Sequence, residues 1–241
     1  MRTLVRALLP LAMALAFTLP SPWPARAQDY PSKVITLVVP VPPGGAADFI
    51  ARTLGQKLQD ALGQPVVISN RGGASGTIAS DNVAKAQPDG YTILLNSITT
   101  HGIGPHLYTS LPYDSVKDFA PIMLVAKLPL VMTLAADRPM KSVLEAIAFA
   151  KANPGKLSFA SSGNGGAPHL SGELFKIVTG TEMLHVPYRG SGPAVVDVAA
   201  GRIDIMFDAV PSLLPMIQAG KLRPLAAASD GAATTPRRRI A

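Results

Sequence analysis

VVPVPPGGAAD, residues 38–48, is the stretch that decides the fold. An apolar, β-branched run at residues 34–39 leads into it. The apolar residues after it recur every four positions, the spacing of one helix face: Ile50, Leu54, Leu58 and Leu62. Gly63 then ends the pattern, as glycine commonly does just beyond a helix C-terminus. The stretch predicts a strand, a glycine-rich turn and a helix.

Two interpretations of this turn are open. The first N–H groups of a helix have no partner within the helix, and its dipole is positive at that end. Gly44 and Gly45 have no side chain, so a ligand can approach the main chain closely. The first interpretation is therefore an anion seat, a site formed by main-chain N–H groups. Glycine is also common in plain connections between a strand and a helix. Asp48 fits either interpretation, as a ligand contact or as a capping residue of the first helical turn.

The composition is that of a globular protein and excludes a nucleic-acid-binding class. Hydrophobic residues make up 48% of the 241 positions, charged residues 15% and aromatic residues 5%. The net charge of +7 depends on six arginines near the two ends, and without them it is +1: Arg2, Arg6, Arg26, Arg237, Arg238 and Arg239. A nearly neutral body has no electrostatic footprint for nucleic acid. The absence of cysteine excludes disulfides, thiolate chemistry and a lipid-modified cysteine.

Residues 1–27 have the pattern of a secretory signal peptide. A basic start is followed by an apolar segment at residues 7–19 and by Ala25-Arg26-Ala27, which predicts cleavage before Gln28. The apolar segment is short for a membrane span, although a retained anchor is the alternative. Export would place the protein in the periplasm.

The chain then alternates strands and helices in two series, which predicts an α/β fold with two lobes, each a sheet covered by helices. The first series has strands at residues 65–69 and 91–95 and a helix at 77–86. Residues 96–119 form a polar, turn-rich region that starts where a strand ends, the edge at which such sheets place ligands. Residues 120–135 are too long for one ordinary strand, and we interpret them as two strand pieces that lead to a second sheet.

The second series predicts helices at residues 142–152, 167–179, 192–200 and 210–219 and strands at 157–161, 183–186, 203–207 and 222–228. Ser142 is the predicted N-cap of the first of these helices, with Glu145 at the capping-box position. The stretch SSGNGGAPHL, residues 161–170, repeats the opening arrangement, because it follows a strand and starts a helix. Neither glycine-rich turn has the spacing of a phosphate-binding loop. Two facing anion seats predict a cleft for a carboxylate.

Catalytic and metal sites have weaker support. The histidines, His101, His106, His169 and His185, lack the spacing of a helical metal site, so we predict no metal and no cofactor. Ser161 or Ser162 with His169 and Asp208 would be the members of a catalytic triad, but no G-x-S-x-G motif accompanies them. A secreted serine hydrolase is the alternative function.

Four stretches, residues 30–52, 63–95, 161–176 and 185–208, resemble the receptors of tripartite tricarboxylate transporters, the Bug-type solute-binding proteins. PPGGAAD and HVPYRG are their most specific motifs. The resemblance implies a type II periplasmic binding protein fold and no enzymatic activity. It also implies a monomer that binds a small carboxylate and docks on membrane permease subunits; a receptor for signalling is the alternative.

The resemblance implies a site built from the glycine-rich turns and the strand ends around them. With Ser97 from the polar region, the predicted ligand-binding residues are Pro43, Gly44, Gly45, Ala46, Ala47, Asp48, Ser97, Ser161, Ser162, Gly163, Asn164, Gly165, Gly166, His169, Tyr188, Arg189, Gly190 and Asp208.

The chain departs from the family after residue 229. We expect residues 28–135 to form the first lobe, 136–221 the second, and 222–229 a strand that crosses back to the first. Family members then continue into a segment that completes the first lobe, whereas residues 230–241 match nothing in the family and are expected to be disordered. We therefore expect an incomplete, aggregation-prone first lobe, produced by a frameshift or a natural truncation.

Overall fold

The computed structural model of the protein describes residues 30–228. The predictions for the signal peptide and for residues 230–241 lie outside the described residues. Eight strands are present among the described residues: β1 (Ile35–Val39), β2 (Val66–Asn70), β3 (Thr92–Leu94), β4 (Leu130–Ala135), β5 (Leu157–Ser161), β6 (Met183–Pro187), β7 (Ile205–Ala209) and β8 (Leu222–Ala228). The α-helices of this part of the chain are α1 (Ala46–Leu62), α2 (Thr77–Ala84), α3 (Gly104–Leu107), α4 (Val143–Ala152), α5 (Ala167–Thr179), α6 (Ser191–Ala199) and α7 (Val210–Gln218).

The strands form two sheets, and each sheet defines one lobe. The first sheet has the order β2-β1-β3 with parallel pairs, and the second has the order β6-β5-β7-β4-β8. In the second sheet β5 is parallel to β6 and β7, while β4 is antiparallel to β7 and β8. The predicted mixed α/β fold with two sheets is confirmed.

Alternating side chains of the second sheet build a core on each of its faces. Phe159, Ile205 and Phe207 pack on one face with the alanines of α4. Ala160 and Met206, one position along, pack on the other face under α6 and α7. This is the alternation expected of strands with both faces covered. The smaller first sheet packs Leu37 and Val39 against α1.

The helix ends follow the local signals in the sequence. Ser142 caps α4 by accepting a hydrogen bond from the Glu145 N–H at 3.2 Å, while the Glu145 carboxylate accepts one from the Lys141 N–H. Gly63 ends α1 in the left-handed conformation with φ of 66°. These predictions of helix ends are confirmed.

The prediction of two strand pieces within residues 120–135 is wrong in its first half. Only β4 is a strand, and it pairs within the second sheet, although the predicted first lobe reaches residue 135. Residues 121–129 form neither helix nor strand, and Ile122, Met123 and Leu124 are 79%, 73% and 70% exposed. Strand β8 lies at the edge of the second sheet beside β4, so its crossing to the first lobe stays a prediction.

Candidate functional site

Turns at the carboxyl ends of the parallel strands bring the two lobes together. In the first lobe this is the turn of residues 40–45 between β1 and α1, and in the second lobe the turns of residues 162–166 and 188–190 and the start of α7. The Ala46 N–H donates to the Ser212 hydroxyl at 3.0 Å, and the Ser75 hydroxyl donates to the Asn164 carbonyl. Gly190 has φ of 103°, which L side chains rarely adopt, and a Cβ there would lie in tight contact with Pro42 at 3.3 Å. These contacts set the first-lobe turn against Gly190 and Ser212, and Ser75 against the second glycine-rich turn. A cleft between the two glycine-rich turns stays a prediction.

Asp48 holds the first-lobe turn in shape. Its carboxylate is 4% exposed and accepts hydrogen bonds from the Gly44 N–H, the Arg52 guanidinium and the Asn70 amide, each at 3.0 Å. Burial alone would raise the pKa of Asp48, but these hydrogen bonds and the charge of Arg52 outweigh it and leave the pKa below its ordinary value. An ionised carboxylate with three donors is a positioning group. A direct ligand contact of Asp48 stays a prediction.

Gly44 and Gly45 leave the end of α1 open. Gly44 has φ of 90°, which L side chains rarely adopt, and a Cβ there would meet open space. Gly45 is extended, with φ of −90° and ψ of 173°, and is the N-cap of α1 without any capping side chain. The Ala46 N–H meets Ser212 of the second lobe at the positive end of this 17-residue helix.

Ser161 and His169 hold the second-lobe turn from its two sides. Ser161 is fully buried, and its hydroxyl lies 2.7 Å from the Nε2 atom of His185 and 3.1 Å from the Gly163 carbonyl. The Gly165 N–H donates to Nδ1 of His169 at 3.1 Å. Both side chains shape the turn. Within it Ser162, Gly163 and Gly166 are half-buried, Asn164 is exposed and Gly165 is buried.

The serine triad considered from the sequence is not the arrangement in the structure. Ser161 contacts His185, which stacks between Phe159 and His169 with ring centroids 4.8 and 4.1 Å away. Burial, and then the adjacent His169, lowers the pKa of His185. Ser161 is fully buried, so its hydroxyl is closed to solvent. His185 packs within the second lobe against two other rings.

Tyr188 and Arg189 lie beside the cleft and are turned to other partners or to solvent. The Tyr188 hydroxyl donates to the Asp197 carboxylate at 2.6 Å, and burial, with this hydrogen bond, raises the pKa of Tyr188 to about 12. Arg189 is exposed. Ser97 is also exposed and uses its carbonyl to accept the N–H groups of Thr100 and His101. Contacts of these three residues with a ligand stay predictions.

Asp208 lies at the end of β7, where two serines meet the first lobe. The carboxylate is 4% exposed, Oδ1 accepts the Ala209 N–H at 2.7 Å, and Oδ2 is buried without a hydrogen bond of ordinary geometry. Burial raises the pKa of Asp208, while the nearby Ser191 and Ser212 hydroxyls and the Ala209 N–H oppose that shift. Sequence reasoning missed both serines, because only tertiary packing brings them to Gly45 and Ala46.

The sequence matches the family of tripartite tricarboxylate transporter receptors over residues 50–237. The expectation that residues 230–241 match nothing in the family is therefore wrong for residues 230–237. The chain belongs to this family. Protein BugT of Bordetella pertussis is 42% identical over 212 residues, which are 88% of this chain and 65% of BugT. The chain therefore spans less than two thirds of the length of that relative.

Two solved structures are similar to this chain in both fold and sequence. Rpa4515 of R. palustris, determined with adipate, has 39% identity and a TM-score of 0.81, with 84% of this chain and 68% of that chain covered. MatC of Rhodopseudomonas palustris, determined with bound malate, has 31% identity and a TM-score of 0.77, with 83% and 68% covered. The resemblance to Bug-type receptors and the two-lobed periplasmic binding protein fold are thereby confirmed.

The family is one of periplasmic solute-binding proteins, and carboxylates are bound by the two neighbours named above. Within residues 30–228, no helix combines the length and the apolar character that a membrane crossing needs. The same residues contain no cluster of three potential metal-ligating side chains.

Proposed function

We propose that this chain is a periplasmic receptor that captures a small carboxylate between its lobes and delivers it to the permease subunits of a tripartite tricarboxylate-type transporter. The family match supports the receptor role, and the adipate and malate bound to two neighbours support the ligand class. Export through the N-terminal signal, action as a monomer and the absence of a catalytic step belong to the same proposal.

The observation that carries this proposal is the hydrogen bond from the Ala46 N–H to Ser212. The first N–H of α1, which has no partner within the helix, donates to an oxygen atom of the opposite lobe. A carboxylate oxygen at this place would accept the same N–H and would also gain from the positive end of the helix. A hydrogen bond to a charged group contributes ~1.5–3 kcal/mol, against roughly 1 kcal/mol for a neutral partner. An anion therefore competes well with the serine hydroxyl.

The ligand would be held mostly by main chain, with side chains that shape the turns behind it. In this proposal the N–H groups come from the first-lobe turn and from residues 162–166. Asp48, Ser161 and His169 position those turns, because each already binds a turn N–H or carbonyl group. Sites of this kind recognise the carboxylate group rather than the rest of the molecule, so the panel of acids in the test below must be broad.

Calorimetric titration of the 241-residue chain with adipate, malate, succinate and citrate tests the proposal. Binding of at least one acid is expected, and an acid present at 100 times its Kd should stabilise the protein by ~2.7 kcal/mol in thermal unfolding. Methyl esters of the same acids serve as the control, since they lack the charge that α1 would bind. Failure of a folded protein to bind any of these acids would contradict the proposal.

The hydrolase alternative has its own test. Ester substrates are incubated with the protein and with the variants Ser161→Ala and Ser162→Ala, and the products are analysed. We expect no turnover above the buffer blank, because Ser161 is buried and bonded to His185. Turnover that either variant abolishes would show an enzyme instead of a receptor.

A further inference from the structure

Asp208 is a buried acidic residue of the second lobe that lies close to the contact with the first lobe. It occupies the end of β7, and the N-terminal parts of α6 and α7 supply the serines beside it, Ser191 and Ser212. The same two serines meet the first lobe: Ser212 accepts the Ala46 N–H, and a Cβ at Gly45 would lie 3.8 Å from the Ser191 hydroxyl oxygen. The end of α1 and the carboxylate are thus separated by one layer of hydroxyl groups.

The hydrogen atoms available at this place are too few for an ionised Asp208 and a bound anion together. Each serine hydroxyl carries one hydrogen and can donate it once. The ionised Asp208 carboxylate attracts both hydrogens, and its Oδ2 atom still makes no hydrogen bond of ordinary geometry. A ligand carboxylate at the end of α1 meets the Ser191 and Ser212 hydroxyls on the second-lobe side, and two ionised carboxylates across a single hydroxyl layer repel each other.

We propose that binding of a carboxylate is coupled to the uptake of one proton by Asp208, taken from solvent onto Oδ2. The protonated acid then donates to a serine oxygen, and that serine turns its own hydrogen towards the ligand. Asp208 is thereby a positioning residue that acts on the ligand through Ser191 or Ser212. This inference rests on the proposed function, because it names how the same site accepts its anion.

The surroundings of Asp208 make it the group that accepts this proton. The described elements packed around it contribute these other charged or titratable groups: Asp48 with Arg52 on α1, His169, Glu173 and Lys176 on α5, Asp197 with Arg202 near α6, and the exposed Arg189. Both of those aspartates are ionised, since arginine partners and hydrogen bonds lower their pKa values. Strands β4 and β5 and helix α7 carry no titratable side chain. Burial already raises the pKa of Asp208, which favours the protonated form.

Titration calorimetry with adipate and malate in buffers of different ionisation enthalpy measures the proton uptake directly. We expect close to one proton per ligand where free Asp208 is ionised. The Kd should then rise by up to about tenfold per pH unit over the pH range in which free Asp208 is ionised and ligand-bound Asp208 is protonated. Infrared difference spectra should gain a carboxylic-acid band on binding. Ligand binding without proton uptake would overturn this inference and leave the proposed function intact.

Two variants separate Asp208 from the histidine pair. Asp208→Asn keeps an oxygen for the Ala209 N–H and has an amide donor in place of the acid proton. Its Kd should stay near the low-pH wild-type value and show neither pH dependence nor proton uptake. His169→Gln should retain the uptake. If uptake persists in Asp208→Asn and is lost in His169→Gln, the assignment to Asp208 is wrong.

Asp89→Asn is the matched control. This surface carboxylate is ionised throughout the range, since Lys33 and the Tyr91 N–H lower its pKa, so its replacement should change neither Kd nor proton uptake. If the Asn variant of Asp208 does not fold, the wild-type buffer series and the infrared band decide alone. Binding of none of the acids by the folded wild-type protein contradicts the proposed function and this inference with it.

Discussion

Asp48 and Asp208 are both 4% exposed, yet their surroundings shift their pKa values in opposite directions. Asp48 has three hydrogen-bond donors, one of them charged, and these keep it ionised. Asp208 has the N–H of its own neighbour and two hydroxyl groups, which do not offset burial. The sequence places both residues near the site, but it cannot separate their roles, because their partners come from other elements.

Asp48→Ala should lower the free energy of unfolding by about 1–3 kcal/mol, because the Gly44 N–H and the Asn70 amide lose their acceptor. The folded-state pKa of Asp48 lies below its unfolded value, so its contribution is present above about pH 4 and is lost as the pH falls through the folded-state pKa. Denaturant titrations across acid pH should show the difference between wild type and variant shrinking. Asp60→Ala, at an exposed position of the same helix, should change little. A constant difference down to low pH would contradict the role of the ionised group.

Gly45→Val should weaken carboxylate binding while it leaves folding nearly unchanged. The backbone of Gly45 suits a β-branched residue, and a Cβ there has only the Ser191 hydroxyl as a neighbour, at 3.8 Å. The branched side chain would cover the Ala46 N–H, and we expect a loss on the order of tenfold in affinity, about 1.4 kcal/mol. Gly45→Ala is the smaller control. Unchanged calorimetric affinity in Gly45→Val would show that the turn is a connection and no binding site.

At the scale of elements, sequence patterns predict most of the strands and helices because their signals are local. The four-residue apolar period of α1, the N-cap Ser142 of α4 and Gly63 at the end of α1 are all signals inside or directly beside the helix concerned. Residues 121–129 have the apolar, β-prone composition of a strand but form neither helix nor strand in the described structure. A strand needs a partner from elsewhere in the chain, and its own composition cannot supply one.

The packing of α5 on β5 depends on a glycine whose role the sequence does not reveal. A Cβ at Gly172 would lie well inside contact distance of the Phe159 ring, which is fully buried. Gly172→Ala should therefore destabilise the protein by about 1–3 kcal/mol, although alanine is the better helix former. Gly192→Ala in α6 meets open space and should be neutral or stabilising by up to ~1 kcal/mol. Thermal unfolding of both variants compares the two, and equal melting temperatures would contradict the close packing.

At the scale of the whole molecule, the site depends on contacts between distant parts of the chain. The hydrogen bond between Ala46 and Ser212 joins residues 166 positions apart. The glycine-rich turns are visible in the sequence because each is continuous. Ser191 and Ser212 have no motif of their own, and only the facing of the two lobes shows that they meet α1. The sequence therefore predicts the glycine-rich turn of each lobe, whereas only the structure shows the two serine hydroxyls that lie at the end of α1.

The exposed apolar segment of residues 121–129 should make the whole molecule prone to self-association. Ile122, Met123 and Leu124 are more than two thirds exposed, and their main chain lies outside both sheets, so another chain can pair with it. Ile122→Lys with Leu124→Lys places two charges on this segment and should reduce aggregation in light scattering and size-exclusion chromatography. Because these residues lie outside the interlobe turns, carboxylate affinity should not change. Val116→Lys tests added charge alone, since Val116 is 80% exposed outside the segment. An equal gain in solubility from that variant would show that net charge, and not the exposed segment of residues 121–129, controls the aggregation.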